Sequence, residues 1–313
     1  MRSSVVRMSN AVSTSRLTKR FGKVLALDHL GLDIPEGSIF GVIGPNGAGK
    51  TTLMRLLLDI LRPTSGHAEV LGQDPRTGGK RLRGRIGYLP GEFRVSPRLT
   101  GSAHVKFWSE ISPQRGSLAR ARDFAERLDL DLSRPASKLS KGNKQKLGVV
   151  QAFMHKPELL ILDEPTSGLD PLIQQTFLGM VREAHAGGAT VFLSSHILSE
   201  VEQVADAAAI LRSGRVVREA PITELRATAV RRLRAVVRAA STDEVTAAAQ
   251  RRGLDLAVEP AGDGEVRVTG MVEGRANDVV ALLGAFEVVD LVLSEPDLEE
   301  TVLEIYSETD EVA

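Results

Sequence analysis

The chain has 313 residues, 42% hydrophobic and 26% charged, enough for one large and one small domain or for two medium ones, with an apolar core of good size. It has no cysteine, which removes disulfides, thiolate metal sites and thiol nucleophiles, and no apolar run approaches the ~18 residues needed to span a bilayer. Formal net charge is zero, yet residues 229–313 carry 8 basic and 18 acidic side chains while residues 1–228 carry 32 and 22. That shift marks a domain boundary near Ala229. Scattered Lys and Arg with only 4% aromatics give no support to nucleic acid as a partner.

Residues 1–14 are polar, lack the apolar stretch of a secretory signal, and read as a disordered lead-in. Short strands follow at 16–18, 26–34 and 38–43, the last running through a glycine-rich turn into a helix over 51–61 that stops at Arg62-Pro63. A polar stretch with helical periodicity, broken by Pro and Ser, predicts a helical subdomain inserted at about 95–152. The strand–helix rhythm then returns: strand 158–162, helix 172–186, strand 190–194, helix 198–204, and a strand pair, 208–212 and 215–218, around Ser213-Gly214. Alternation of this kind predicts a mostly parallel sheet covered on both faces.

Residues 229–313 read as a separate unit. A strand at 234–239 precedes a helix over 242–252, introduced by Ser241 with Glu244 three residues on, the pattern of a capping box. A hairpin joins 254–259 to 265–269, a helix covers 275–284, a strand 288–293, and Pro296 opens a terminal helix. The order β-α-β-β-α-β predicts a small α+β domain of ferredoxin-like topology.

Two segments carry chemistry. Gly44-Pro45-Asn46-Gly47-Ala48-Gly49-Lys50-Thr51 fits the phosphate-loop pattern G-x-x-x-x-G-K-[ST] between a strand and a helix. Glycines let backbone N–H groups turn inward around phosphates, and the N-terminus of the next helix, with Thr52 beside Thr51, adds positive potential. Lys50 is expected on the β- and γ-phosphates and the Thr51 hydroxyl on Mg²⁺. Downstream, the apolar strand Leu159-Leu160-Ile161-Leu162 ends in Asp163-Glu164. Asp163 is suited to hold Mg²⁺ through water, and Glu164 to orient and deprotonate the attacking water.

With Leu139-Ser140-Lys141-Gly142-Asn143, Ser167-Gly168-Leu169-Asp170 and His196 added in order, residues 14–220 resemble the ATPase subunits of ABC transporters. The resemblance implies a P-loop ATPase sheet with an antiparallel N-terminal part, and ATP and Mg²⁺ as cofactors. It implies that Ser140 and Gly142 meet the γ-phosphate of ATP held by a second subunit, and that His196 contacts the γ-phosphate in its own. It further implies that Asp170 lies in the loop crossing the dimer interface, and that Phe21 stacks on adenine. Lys141 and Asn143 depart from the commonest LSGGQ form but match the LSKGxKQ form of many exporter subunits, continued here by Lys144-Gln145. Where the family usually carries a magnesium-contacting glutamine, this chain reads Pro90-Gly91-Glu92, so Glu92 is expected to substitute from the next position.

The ending Glu295-Pro296-Asp297-Leu298-Glu299-Glu300, then Val302-Leu303, resembles exporter subunits that pair with a separate six-helix permease. Thirty Arg against ten Lys is similar to usage in GC-rich bacteria, whose exporters often carry drugs, antibiotics or lipids. The expected assembly is therefore a pair of ATPase subunits, a homodimer before a heterodimer, held at the cytoplasmic face of the membrane by its permease. The alternative is a soluble ABC ATPase acting on ribosomes or DNA. Ribosomal members resemble two fused copies of this domain, whereas one phosphate loop is present here; DNA-repair members carry a long insertion or coiled coil, and no heptad run occurs.

Overall fold

The computed structural model of the protein describes residues 9–112, 114, 116–196, 198–227, 231–262, 264–272 and 277–294. In chain order the elements are β1 (Asn10–Phe21), β2 (Val24–Pro35), β3 (Ile39–Ile43), α1 (Lys50–Leu57), β4 (Ser65–Val70), α2 (Pro75–Arg83), β5 (Ile86–Leu89), α3 (Gly101–Ile111), α4 (Ser117–Arg127) and α5 (Lys141–Phe153). There follow β6 (Leu159–Asp163), α6 (Pro171–Ala186), β7 (Thr190–Ser195), α7 (Leu198–Glu202), β8 (Ala207–Arg212), β9 (Arg215–Pro221) and α8 (Ile222–Ala227). The last group is β10 (Arg231–Arg238), α9 (Thr242–Gln250), β11 (Ala257–Gly262), β12 (Glu265–Val272), α10 (Asn277–Leu283) and β13 (Glu287–Ser294). The chain divides into two units, Met1–Ile222 and Thr223–Ala313, a few residues ahead of the change in charge at Ala229.

The first unit holds two sheets. One has the order β2-β1-β4, antiparallel throughout. The other has the order β5-β6-β7-β3-β8-β9, parallel except for β9. Strands β3, β6 and β7 are buried along their whole length, which is why they read as unbroken apolar runs rather than alternating ones. Their core joins Phe40, Phe192, Leu159 and Ile161 to Leu53 and Leu57 of α1.

Strand β1 already begins at Asn10, so the lead-in expected over 1–14 reaches too far; residues 1–8 lie outside the described residues. The run Asn10–Thr14 looks polar, but β1 is paired on both sides. Ala11 and Val12 are fully buried, and the buried Thr14 hydroxyl sits 3.4 Å from the carbonyls of Leu30 and Leu32. Helix α1 also stops short of the expected residue 61. Asp59 takes a left-handed conformation (φ 55°) just past its end, and the next amides turn back to the Arg55 carbonyl. In the stretch expected to form the helical subdomain stand α3, α4 and α5, with the N-caps Thr100 and Ser140 each accepting from the amide three residues on.

The second unit runs β-α-β-β-α-β, with strand order β11-β12-β10-β13 and every pair antiparallel. The first strand lies inside beside the last, the arrangement of a ferredoxin-like fold. Val245 of α9 and Val279 and Leu283 of α10 pack on Leu233, Ala235, Val237, Val266 and Val268. Ser241 caps α9 by accepting from the Glu244 amide at 3.3 Å, and the Glu244 carboxylate accepts from the Ala240 amide rather than from Ser241. The terminal helix expected from Pro296 lies outside the described residues.

Phe192 on β7 is fully buried, and its ring stands 6.4 Å from that of Phe40. Phe192→Ala is expected to cost about 3–5 kcal/mol of stability. In urea unfolding of the full chain this should appear as a lower midpoint for the first unit, with its slope unchanged.

Candidate nucleotide-binding and catalytic site

Strands β3, β6 and β7 run parallel in register, Ile43 opposite Ser195 and Asp163 opposite Ser194. Their carboxyl ends therefore finish level, and the segments that follow emerge along one edge of the sheet, where α/β folds bind ligands. From β3 emerges the glycine-rich loop. A Cβ at Gly44 would stand 2.3 Å from the Leu211 carbonyl oxygen, and one at Gly49 (φ 111°) 2.7 Å from the Ala26 carbonyl oxygen. No side chain fits at either position, so the glycines let the loop press against β2 and the end of β8. Pro45, Asn46 and Gly47 form its exposed crest, while Ala48 and Lys50 are buried. Gly49 caps α1 without a side-chain hydrogen bond. Helix geometry leaves the first-turn amides of Lys50, Thr51 and Thr52 without intrahelical acceptors, a ready seat for an anion.

The Lys50 side chain is only 5% exposed. Its Nζ donates to the carbonyls of Gly44 at 2.5 Å and Pro45 at 3.4 Å, and lies 3.2 Å from Glu164 Oε1. The other carboxylate oxygen, Glu164 Oε2, is 2.5 Å from His196 Nδ1. Phosphate-loop lysine, strand-end glutamate and histidine thus form one chain of contacts. Asp163, at 1% exposure, is held by the Ser194 hydroxyl, which donates to its Oδ1 at 2.8 Å and accepts the Glu164 amide at 3.0 Å. Beside it, burial pushes the Tyr88 phenol up; the Asp163 charge adds to the shift and a hydrogen bond with Arg55 opposes it.

Ser140 caps α5, accepting from the Asn143 amide at 3.2 Å. A Cβ at Gly142 would meet the Gly168 carbonyl oxygen at 2.6 Å, so the first turn of α5 packs directly on the 164–170 loop, with Lys141 Nζ 3.3 Å from Ser167 Oγ. Asp170 caps α6 through the Ile173 amide at 3.1 Å. The contacts described for Ser140 and Gly142 are with their own helix and this loop rather than with the phosphate loop. Phe21 ends β1 opposite Val24, its ring 44% exposed with Lys19 Nζ 4.9 Å from the centroid. Two residues beyond Val24 on the paired strand, Ala26 abuts Gly49 of the phosphate loop.

Glu92 is placed elsewhere than expected. Both its carboxylate oxygens accept from Arg94 NH2 at 2.9 Å and its side chain is 73% exposed; no described contact brings it to Thr51 or Asp163. Gly91 is the residue that abuts Asp163, its absent Cβ 3.5 Å from Asp163 Oδ2. With Gly91 facing the aspartate, the next side chain turns away toward a groove lined by Tyr88, Phe93 and Trp108. Two residues of the site are not among those singled out in sequence, Ser194 and Glu200, and a third, Gln145, enters there only as the end of the LSKGxKQ run, with no role of its own. Gln145 Nε2 donates to the carbonyls of Glu164 and Pro165, and Glu200 accepts from the hydroxyls of Thr166 and Ser195. Ser194 was legible as the serine at the end of its strand. Gln145 was legible as the glutamine that closes the LSKGxKQ run, while Glu200 lies on a helix face and gives no sequence signal.

The family described as ABC transporter matches residues 27–167, which span the phosphate loop, α5 and the Asp163-Glu164 pair. The daunorubicin resistance ATP-binding protein DrrA3 of Streptomyces coeruleorubidus is 34% identical, covering 94% of this chain and 95% of its own length. This chain belongs to the ABC transporter family. The bacitracin transport ATP-binding protein BcrA of Bacillus licheniformis is 36% identical over 70% of this chain and 72% of its own. Among solved structures, an ATP-binding subunit of an ABC transporter superposes with a TM-score of 0.65 at 29% identity, over 69% of this chain and 92% of that one. The protein is an ATP-binding and ATP-hydrolysing subunit of an ABC transporter, and a subunit of that kind works with a membrane partner. No helix among the described residues is long and apolar enough to cross a membrane.

Lys50→Ala removes the cation that the loop encloses. It is expected to abolish ATP binding in calorimetry, and undiminished affinity would overturn the role given to Lys50.

Proposed function

We propose that this subunit powers the export of drugs, antibiotics or lipids through a separately encoded six-helix permease, as a homodimer at the cytoplasmic face of the membrane and with Mg²⁺ beside ATP. The observation that carries this reading is the likeness to the daunorubicin resistance subunit, which runs through 94% of the chain and so takes in both units. The bacitracin transport relative, matched over 70% of this chain, supports the same cargo class.

Each step of hydrolysis has a residue suited to it. The amides after Gly49 and the Lys50 ammonium bind the phosphates; Lys50 exchanges its contacts with the Gly44 carbonyl and Glu164 for phosphate oxygens. Released from Lys50, Glu164 takes the proton of the attacking water, while His196 at its second oxygen keeps the carboxylate oriented. The Thr51 hydroxyl and Asp163 carboxylate are hard oxygen donors that fit Mg²⁺, which when bound neutralises and orients the phosphates. Among the described residues no three His, Asp or Glu side chains cluster as a metal cage. That suits an ion held chiefly by phosphate oxygens and water. Ser140 and Gly142, whose described contacts are with α5 and the 164–170 loop, complete the site of a second subunit, and Phe21 stacks on adenine.

A groove of about 550 Å³ is lined by Tyr88, Phe93, Leu99, Phe107 and Trp108, with Phe107 54% exposed. Pro90 and Glu92 on its wall flank Gly91, which abuts Asp163, so the groove suits a cytoplasmic segment of the permease. Exposed aromatics around a concave surface are what a buried interface core requires.

Two outcomes are expected. Glu164→Gln should give ATP-stabilised dimers with little turnover, seen by size exclusion and phosphate release; turnover near that of the unmodified protein would remove Glu164 as the base. Phe107→Asp should leave the ATPase activity of the isolated subunit intact while abolishing co-purification with the permease. Retained co-purification would move the permease contact elsewhere.

A further inference from the structure

Glu164 stands in a conformation that its own side chain does not favour. Its φ is 49°, in the left-handed region where a residue with a Cβ is uncommon and persists only when its surroundings enforce it. The enforcing contacts are visible. Its amide donates to Ser194 Oγ at 3.0 Å. Its carbonyl accepts from the Ser167 amide at 3.2 Å and from Gln145 Nε2 at 3.3 Å. The second Gln145 amide hydrogen goes to the next carbonyl, Pro165, at 3.1 Å. Gln145 is 3% exposed, so both donors are spent out of water on two consecutive carbonyls of the strained segment.

From this geometry we infer that Gln145 is a positioning residue for hydrolysis: it acts through Glu164 by holding the peptide on its carboxyl side, and so aims the carboxylate. The inference rests on the reading of Glu164 as general base. Ser194 fixes the amino side of the residue and Gln145 the carboxyl side. With the amide gone, the 164–165 peptide is free to relax toward ordinary dihedrals, which swings the carboxylate off the water it must deprotonate. ATP binding uses Lys50 and the 44–52 loop, none of which Gln145 touches, so turnover and affinity should separate.

The test uses the full-length chain. Gln145→Met keeps side-chain length and volume but removes both donors, and Gln145→Asn keeps the amide but draws it back by one carbon. For Gln145→Met, kcat should fall about 10- to 100-fold, the loss typical of a displaced catalytic group. The Kd for ATP by calorimetry should stay within about twofold, since binding and chemistry are separate terms. Gln145→Asn should give an intermediate kcat, and it carries the test should the Met variant fail to fold. In a Glu164→Gln background, Gln145→Met should add no further loss, because the two residues act as one unit. Unchanged kcat would overturn the inference. So would a loss of ATP affinity and thermal midpoint in parallel with kcat, which would make Gln145 structural glue. If Glu164→Gln itself keeps turnover, the general-base reading fails first, and that outcome is read from a separate variant.

Discussion

Three parallel strands end level with one another, and the chemistry depends on that register. Ile43 pairs with Ser195 and Asp163 with Ser194, so the phosphate loop after β3, the acids closing β6 and the histidine after β7 leave the sheet side by side. A one-residue slip in β6 would turn Asp163 and Glu164 to opposite faces. Such a slip is resisted because these strands are buried throughout and every backbone group must find a ladder partner.

Electrostatics then ties the three together. The Lys50 ammonium is nearly out of solvent and is compensated by two carbonyls and one Glu164 oxygen, with His196 on the other. A buried charge left unpaired is costly, so the pocket is stable with these partners and is equally ready to exchange them for phosphate oxygens. The Ser194 hydroxyl keeps the two acids distinct, since it donates to the Asp163 carboxylate but accepts from the Glu164 amide. One side chain thereby holds the ligand and the base in different orientations. Helix α5 contributes at two levels: its first turn carries Ser140 and Gly142, and its second turn carries Gln145, which grips the segment following β6.

Much of this was legible in sequence because it is local. The phosphate loop is a contiguous run whose glycines have backbone reasons, Asp163-Glu164 ends an apolar strand, and the βαββαβ order of the second unit follows from alternation and a capping serine. The start of β1 was not legible, because a strand paired on both sides tolerates Asn10, Ser13 and Thr14 once their polar groups are bonded. Glu92 was misplaced for a similar reason. The chain bends after β5, and only the fold shows that Glu92, one place past Gly91, pairs with Arg94 instead of reaching Asp163.

The sequence by itself determined the reaction class. A glycine loop with Lys50 and Thr51, two acids at a strand end and a capped Ser140 leave little else for these residues to do, since each motif is set by neighbours along the chain. The tertiary structure decided how the residues meet: which oxygen of Glu164 faces Lys50, that Ser194 clasps both acids, and that Gln145 holds a backbone segment 19 positions away. Those contacts join strands and helices far apart in the chain. Their partners are chosen by packing and register, which no local pattern encodes.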